Sequence, residues 1–507
     1  MRNYILQIAT VVVLLLFSGC QDAWENHADL ADSTASQTLL ETLEANSNYS
    51  NFVSALKTTG LNKTLSEPYM YTVWAPSNDV FTNLPDDTKE LYKLVANHIS
   101  KGATLTSTLT DTKRILMLSG KFIELDGEAA TIDQIAITKK DQAATNGVVQ
   151  FIGSTIEPRI TIWQYIESYT GTNKHIEYLN SLSGYVFDPD SATITGYTGG
   201  GLPIYDTLSG MVWKNSFLDN VADLRSEDST YTLIIIDDEA FDTEFDTYTS
   251  YFKITSATTD EALALNKAKC LFKITKDYVF TSSYRATEIP AMATSVDMVE
   301  VPVDKSLVYD SFQASNGWVH HITSCAVPLA NKIQPIIIEA ETLERFTDNF
   351  TIFGDAIDGY PAGYKRVRPD ASGGFDYVLD NWTTTAKGSG LILHADEVAS
   401  MRYKFYLKAV NDFRGSYRYP KDNDYILSQQ LGITTLRSEN NMIYDFNPMI
   451  AVSDSIKVTA TSYDEAIEEE VGSYKFTSMR EIYLWLSPMD NGAAITADYI
   501  KLVPDFE

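Results

Sequence analysis

The chain has 507 residues, 44% of them hydrophobic, and a formal net charge of −29. At ~150 residues per domain this length accommodates about three domains. So acidic a chain argues against nucleic acid and anionic lipid headgroups as direct partners, and fits neutral glycans, cations or a basic protein face.

The first residues read as an export leader. Met1-Arg2-Asn3 is a short basic start, and the apolar run from Ile8 to Phe17 is too short to span a bilayer comfortably. Small Ser18 and Gly19 precede Cys20, and Gln21-Asp22-Ala23-Trp24-Glu25-Asn26-His27 follows. Leu16-Phe17-Ser18-Gly19-Cys20 resembles the bacterial lipobox, with Phe17 where that family more often has Leu. The acidic stretch after it is similar to the start of Bacteroidetes surface lipoproteins. The resemblance implies a signal peptide over 1–19, diacylglycerol on the Cys20 thiol and a tether over 20–35. It also implies an outer-membrane location facing the extracellular side, with the lipid as the sole membrane anchor. The other reading is an ordinary secretory signal with a chance cysteine.

Leu39, Leu40 and Leu43 share one helical face. Tyr49, Phe52, Val53 and Leu56 continue that spacing until Gly60 stops it. Tyr71 to Ala75 is an apolar strand broken at Pro76, after which Ser77-Asn78-Asp79 offer oxygens to cap a following helix. Leu91, Leu94, Val95 and His98 form another helical stripe. Short strands run from Leu116 to Ile137 with a turn at Asp126-Gly127, and Asn146-Gly147 opens an alternating strand that closes the unit near Pro158.

The pattern then recurs. Ile162, Trp163, Tyr165 and Ile166 begin a helix, and Ile176 and Leu179 belong to the next. An insertion rich in Tyr and Gly follows. Its Gly196 to Gly201 stretch reads as a flexible loop, because no Lys-Ser/Thr follows to make a phosphate cradle. Tyr231 to Phe241 repeats the first segment and Asn316 to Ile322 the second, so an internal repeat organises the chain. His320 and His321 are strand neighbours that point to opposite faces, which rules out a simple two-His metal site. Cys270 and Cys325 either bridge in an oxidising compartment or pack as two small buried hydrophobes.

Tyr71 to Phe81 and Asn146 to Ser154 resemble the two signature segments of the fasciclin domain, an extracellular adhesion and binding module. The resemblance implies a fasciclin-like domain over 36–158 and a second over 159–332. The second is divergent, since Ile236-Asp237 stands where the first copy has Pro76-Ser77. His98 occupies the family's Tyr-His position, linked to integrin-type adhesion, but Asn97 replaces the Tyr and argues against that mode here. The alternative for His98 is a satisfied core histidine.

After Pro335 the character changes. Alternating segments such as Arg402 to Leu407 and Ile482 to Leu486 predict a β-sandwich over 333–507. The expected fold class is therefore α+β: two fasciclin-like domains, then an all-β jelly-roll-like sandwich. The Glu339-Ala-Glu341 opening and the Asp498-Tyr-Ile close resemble carbohydrate-binding jelly rolls. That resemblance implies Glu339, Glu341 and Asp498 as ligands of a structural calcium; otherwise they are ordinary edge residues. Glycan binding stacks aromatic faces on sugar rings beside polar groups. Loops 358–364 and 411–419 have that composition, which makes Tyr360, Tyr364, Arg414, Tyr417, Arg418 and Tyr419 the candidate glycan-binding residues, with Trp382 beside Asn381 a further one.

No catalytic residue and no organic cofactor is expected, because the chain has no His-Glu-x-x-His, Gly-x-Ser-x-Gly or Walker pattern. The function expected is non-catalytic capture of an extracellular glycan. The likeness to Bacteroidetes fasciclin lipoproteins implies an accessory place in a SusC/SusD-type outer-membrane complex. The alternatives are a structural or adhesion protein docking through its fasciclin domains, and a glycoside hydrolase with an unrecognised carboxylate pair.

Overall fold

A computed structural model describes residues 35–341, 362–368, 371–380, 391–411, 427–434, 450–459, 468–489 and 495–506. Cys20, Tyr360, Trp382, Arg414, Tyr417, Arg418 and Tyr419 lie outside these residues, and of Tyr364 only its place in the strand Ala362–Val367 is described.

The first unit is built on a parallel strand pair. Tyr71–Pro76 runs beside Gly147–Ile152 with Tyr71 opposite Gly147 and Pro76 opposite Ile152. Every residue of both strands is buried, as parallel pairs covered on both faces require. Phe52, Leu56 and Leu94 pack on one side and Trp74, Leu125 and Ile132 on the other. Thr38 and Glu41 form a capping box at the head of the helix Leu39–Glu44. Gly60, at φ 77°, ends the helix Ser50–Thr59 in the left-handed conformation that glycine adopts at least cost.

No helix starts at Ser77-Asn78-Asp79, contrary to the sequence expectation. Ser77 closes only one turn with Val80 and Phe81, and the next helix is Thr88–Ala96, capped by Asp87. A helix begun at Asn78 would run into Pro85, which cannot continue one. The Asn78 side chain instead accepts from the Asn51 amide at 2.9 Å and donates to the Ser47 carbonyl at 2.8 Å, tying the strand end to the preceding helix.

The second unit repeats the device. Tyr231–Ile236 lies parallel to Gly317–Ile322 in the same register, Tyr231 opposite Gly317 and Ile236 opposite Ile322. Thr161 and Gln164 make its capping box on the helix Ile162–Ser168. Cys270 and Cys325 are both free, buried thiols, so they pack rather than bridge. The glycine-rich stretch is a loop from Thr198 onward, as expected, but it is the tip of an ordered insertion. The insertion folds as two stacked hairpins, Ser183–Phe187 against Met211–Asn215 and Ile194–Tyr197 against Pro203–Tyr205. The glycines form the tip, where Gly201 at φ 80° turns the chain and the Thr198 amide donates to the Leu202 carbonyl at 2.8 Å.

In the third unit every described strand pairing is antiparallel, in sheets of four, three and four strands among the described residues. Its apolar core is continuous with that of the second unit, running from Ile234, Phe241 and Ile274 to Tyr403, Phe405 and Leu502. Backbone bonds cross the same seam, Ser400 N–H to Tyr251 O at 2.8 Å and Met479 N–H to Lys253 O at 2.6 Å.

Candidate functional site

Three places gather charged or exposed apolar side chains among the described residues. The crevice between the first two units encloses about 90 Å³ and is lined by Arg114, Lys121, Glu124, Asp133 and Arg159. Its charges are satisfied within the protein: Lys121 with Glu227 at 2.6 Å, Arg159 with Asp133 at 3.0 Å, and Arg285 with Glu124 at 3.1 Å. Charges so matched make a seam between units rather than a ligand site.

The second place is the acidic trio. Glu339 ends the strand Ile336–Glu339, and Glu341 follows two residues later. Asp498 stands between the strands Ile495–Ala497 and Tyr499–Asp505, where the chain passes from one sheet to another. Pairing of Glu339 with Tyr499, and the Ala340 amide donating to the Asp498 carbonyl at 2.8 Å, bring the two chain ends together. The three carboxylates each place an oxygen within 4.8 Å of the others.

A turn closes over them. Ser372 Oγ donates to Glu339 Oε1 at 2.5 Å, and the Ser372 amide to Asp498 Oδ2 at 3.3 Å. Gly373 sits at φ 63°, and a Cβ there would lie 2.6 Å from Glu341 Oε1, so the approach requires glycine. Lys408 Nζ reaches Asp498 Oδ2 at 3.3 Å.

Glu341 and Asp498 are buried, and Glu341 Oε2 and Asp498 Oδ1 have no hydrogen-bond partner among the described residues. Burial pushes the Asp498 carboxyl up to about 6, against the pull of the Ser372 amide and Lys408, with Glu339 adding to the rise. Burial likewise raises Glu341, helped by Glu339 and Asp498. Buried like charges with unfilled oxygens cost free energy unless something positive joins them. The donor set is all oxygen, which suits a hard cation such as calcium. Ser372, Gly373 and Lys408 were not found from sequence. They lie far from the trio along the chain, and no local pattern announces their return to it.

The third place is the double hairpin of the second unit. Tyr185, Val186, Phe187, Ile194, Tyr197, Leu202, Ile204, Leu208 and Met211 are all exposed, Leu208 to 84%. They are nine of the twenty-four large hydrophobics that are exposed among the described residues, gathered in fewer than thirty positions. Asp188, Asp190 and Asp206 are the charged residues between Ser183 and Trp213. The base is rigid: Asn215 Nδ2 donates to the Leu179 carbonyl and to Ser183 Oγ, both at 2.9 Å. Such an apolar, acid-flecked arm on a fixed base has the composition found at interaction surfaces.

His98, His320 and His321 are structural. His98 is buried, with Nδ1 2.9 Å from the Leu94 carbonyl and Nε2 accepting from the Ile156 amide at 2.9 Å; burial lowers its pKa to about 4. His320 bonds Ser311 and the Tyr284 carbonyl, and His321 bonds Tyr165 on the other face.

The family model for the fasciclin domain matches residues 47–158, and the first unit is a fasciclin domain. Transforming growth factor-beta-induced protein ig-h3 of Sus scrofa is 28% identical over 131 residues, covering 24% of this chain and 19% of that protein. Protein sll1483 of Synechocystis is 28% identical over 141 residues, 25% of this chain and 77% of that protein. The chain thus spans about a fifth of ig-h3 but most of the cyanobacterial relative. Among solved structures, the FAS1 domain pair of the insect cell adhesion molecule fasciclin I aligns with 57% of this chain and all of that one, at 13% identity and a TM-score of 0.23. A family 35 carbohydrate-binding module from Clostridium thermocellum aligns with 33% of this chain and 98% of that one, at 12% identity and a TM-score of 0.20.

Proposed function

We propose that the chain is a non-catalytic docking and adhesion protein, held at a bacterial outer surface by a lipid on Cys20, whose contact element is the double hairpin of its second unit. The observation that carries this reading is the concentration of exposed apolar side chains on that arm. The fasciclin match over 47–158 supports an adhesive or structural role for the scaffold behind it. The partner we favour is an outer-membrane uptake complex of the SusC/SusD type, offering an apolar groove with basic side chains to receive Asp188, Asp190 and Asp206. A photo-crosslinking residue at Leu208 of the full chain on cells should label a protein of such a complex. Labelling of lipid alone, or of nothing, would count against docking.

In this proposal the third unit is a jelly-roll-like sandwich braced by calcium on Glu339, Glu341 and Asp498. Capture of an extracellular glycan is its proposed added role, through the 358–364 and 411–419 loops. Raised carboxyl values mean that the folded, metal-free chain holds protons more tightly than the unfolded one. The trio's own contribution, read as the metal-free stability of the parent minus that of Asp498→Asn, should therefore fall by on the order of 2 to 3 kcal/mol as pH rises from about 4 to about 6. Calcium should remove that fall and raise the melting temperature. In Asp498→Asn the calcium response should vanish while the fold persists; an undiminished response would refute this ligand set.

A further inference from the structure

A second cluster stands on a different sheet of the third unit from the acidic trio. His394 and Asp396 belong to the strand Leu391–Val398, and Glu481 to the neighbouring Arg480–Pro488. His394 pairs directly with Tyr483 across the two strands. Residues two apart on a strand share a face, so His394 and Asp396 project together, and Glu481 projects with Tyr483 beside them. Leu391, Leu393 and Ala395, on the other face, are buried in the core.

His394 Nε2 is 2.5 Å from Glu481 Oε1 and 3.2 Å from Asp396 Oδ1. All three ligand atoms lie within 4.8 Å of one another. Ligands around a tetrahedral zinc, with bonds of about 2.0 Å, stand roughly 3.3 Å apart, so only a small opening of the His394–Glu481 contact would admit an ion.

The supporting groups are also in place. The imidazole stacks on the Tyr483 ring at 4.9 Å between centroids, and its side chain is only 12% exposed. Tyr483 Oη donates to Glu481 Oε1 at 2.5 Å. Partners of this kind fix the rotamers of metal ligands. Next to Asp396, Glu397 adopts φ 54° at the point where the strand register shifts, and turns to Lys269 and Lys273 of the second unit. That clamp holds Asp396 at the seam between units. The Asp396 and Glu481 side chains remain 61% and 47% exposed, which leaves an entry path and open positions for water or an outside ligand.

We infer that His394, Asp396 and Glu481 form a binding site for a divalent transition-metal ion of the zinc class, separate from the all-oxygen trio. One imidazole with two carboxylates suits zinc; calcium prefers six to eight oxygens.

The test uses the full chain, purified without a histidine tag, stripped with a chelator, and titrated calorimetrically with Zn²⁺ in excess Ca²⁺. One equivalent of Zn²⁺ should bind. His394→Ala and Asp396→Asn should each weaken binding at least tenfold, and Tyr483→Phe about tenfold, the usual scale for a lost supporting contact. Asp498→Asn should bind Zn²⁺ as the parent does. Asp396 is exposed, so its substitution keeps the test interpretable if His394→Ala fails to fold. No Zn²⁺ uptake, or uptake undiminished in Asp396→Asn, would overturn the site and leave a histidine–glutamate ion pair in its place.

Discussion

The first and second units share a backbone plan and differ in what fills it. Asn146 Oδ1 accepts from the Leu39 amide at 2.8 Å, and Asn316 Oδ1 from the Ile162 amide at 2.9 Å. Thr72 Oγ1 donates to the Gly102 carbonyl at 2.8 Å, and Thr232 Oγ1 to that of Ser282 at 2.6 Å. Beyond these ties the units part. Where the first has Asn97-His98, bonded to the backbone of Ile156, the second has Asp277-Tyr278, with Tyr278 Oη donating to the Cys325 carbonyl at 2.7 Å. Asp277 pairs with Lys332 at 2.5 Å, both side chains only 1% exposed. The lesson is that the parallel pair needs a polar tie to the chain leaving its last strand, and that a neutral imidazole or a phenol above an ion pair will serve. The His98 side chain is thus a structural tie rather than a ligand contact.

The largest effects should come where the units agree. A Cβ on Gly147 would lie 1.9 Å from the Tyr71 carbonyl oxygen, and one on Gly317 1.8 Å from that of Tyr231. Gly147→Ala and Gly317→Ala should each cost more than about 4 kcal/mol, read as failure to accumulate folded protein or a collapse of the urea midpoint. Parent-like midpoints would show that the shared register is not what holds the units.

Smaller effects should separate them. Lys332→Met leaves the buried Asp277 with Lys276, at 2.7 Å, in place of two cations and should cost about 3 kcal/mol. Asn97→Ala removes neutral hydrogen bonds only and should cost about 1 to 3 kcal/mol. Equal losses in denaturant titration would erase the contrast between charged and neutral ties.

The buried histidines offer the finest comparison. His175, in the second unit, stacks on Phe241 at 5.6 Å, and neither of its ring nitrogens has a hydrogen-bond partner among the described residues. His98→Phe should cost about 1 to 3 kcal/mol by orphaning the Ile156 amide, whereas His175→Phe should be neutral or stabilising. Burial lowers both imidazoles, His98 to about 4 and His175 to about 3. Their contribution is complete above about pH 6.5 and lost as pH falls toward those values. His175→Phe should therefore reduce the acid sensitivity seen by chemical denaturation between pH 6.5 and 4; an unchanged acid limb would contradict the assignment.

Much of the scaffold was legible because its signals are local. Gly60 and the Asn146-Gly147 turn each set the backbone where they stand, although the Asn146 side chain also reaches back to the Leu39 amide. Asn78 misled the reading because its oxygens cap nothing nearby; they serve a helix almost thirty residues upstream. The glycine loop at the tip of the insertion was legible, but the hairpin beneath it was not, because Ile194, Gly196 and Ile204 make too short an alternation to announce a strand pair. The acidic trio was named from the resemblance of two short motifs, but the lid of Ser372 and Gly373 depends on contacts more than thirty residues from Glu339. His394, Asp396 and Glu481 escaped notice for the same reason: strand pairing, not spacing along the chain, assembles them.

The central claim is that the arm of the second unit is the docking element. It is tested most directly by replacing residues 188–210 with a tight Asn-Gly turn in the full chain and measuring its association with outer-membrane uptake complexes on cells. The account predicts that association is lost while thermal unfolding stays parent-like, since the arm's apolar side chains are exposed rather than buried in a core. Association at the parent level, with the arm removed and the fold intact, would contradict it.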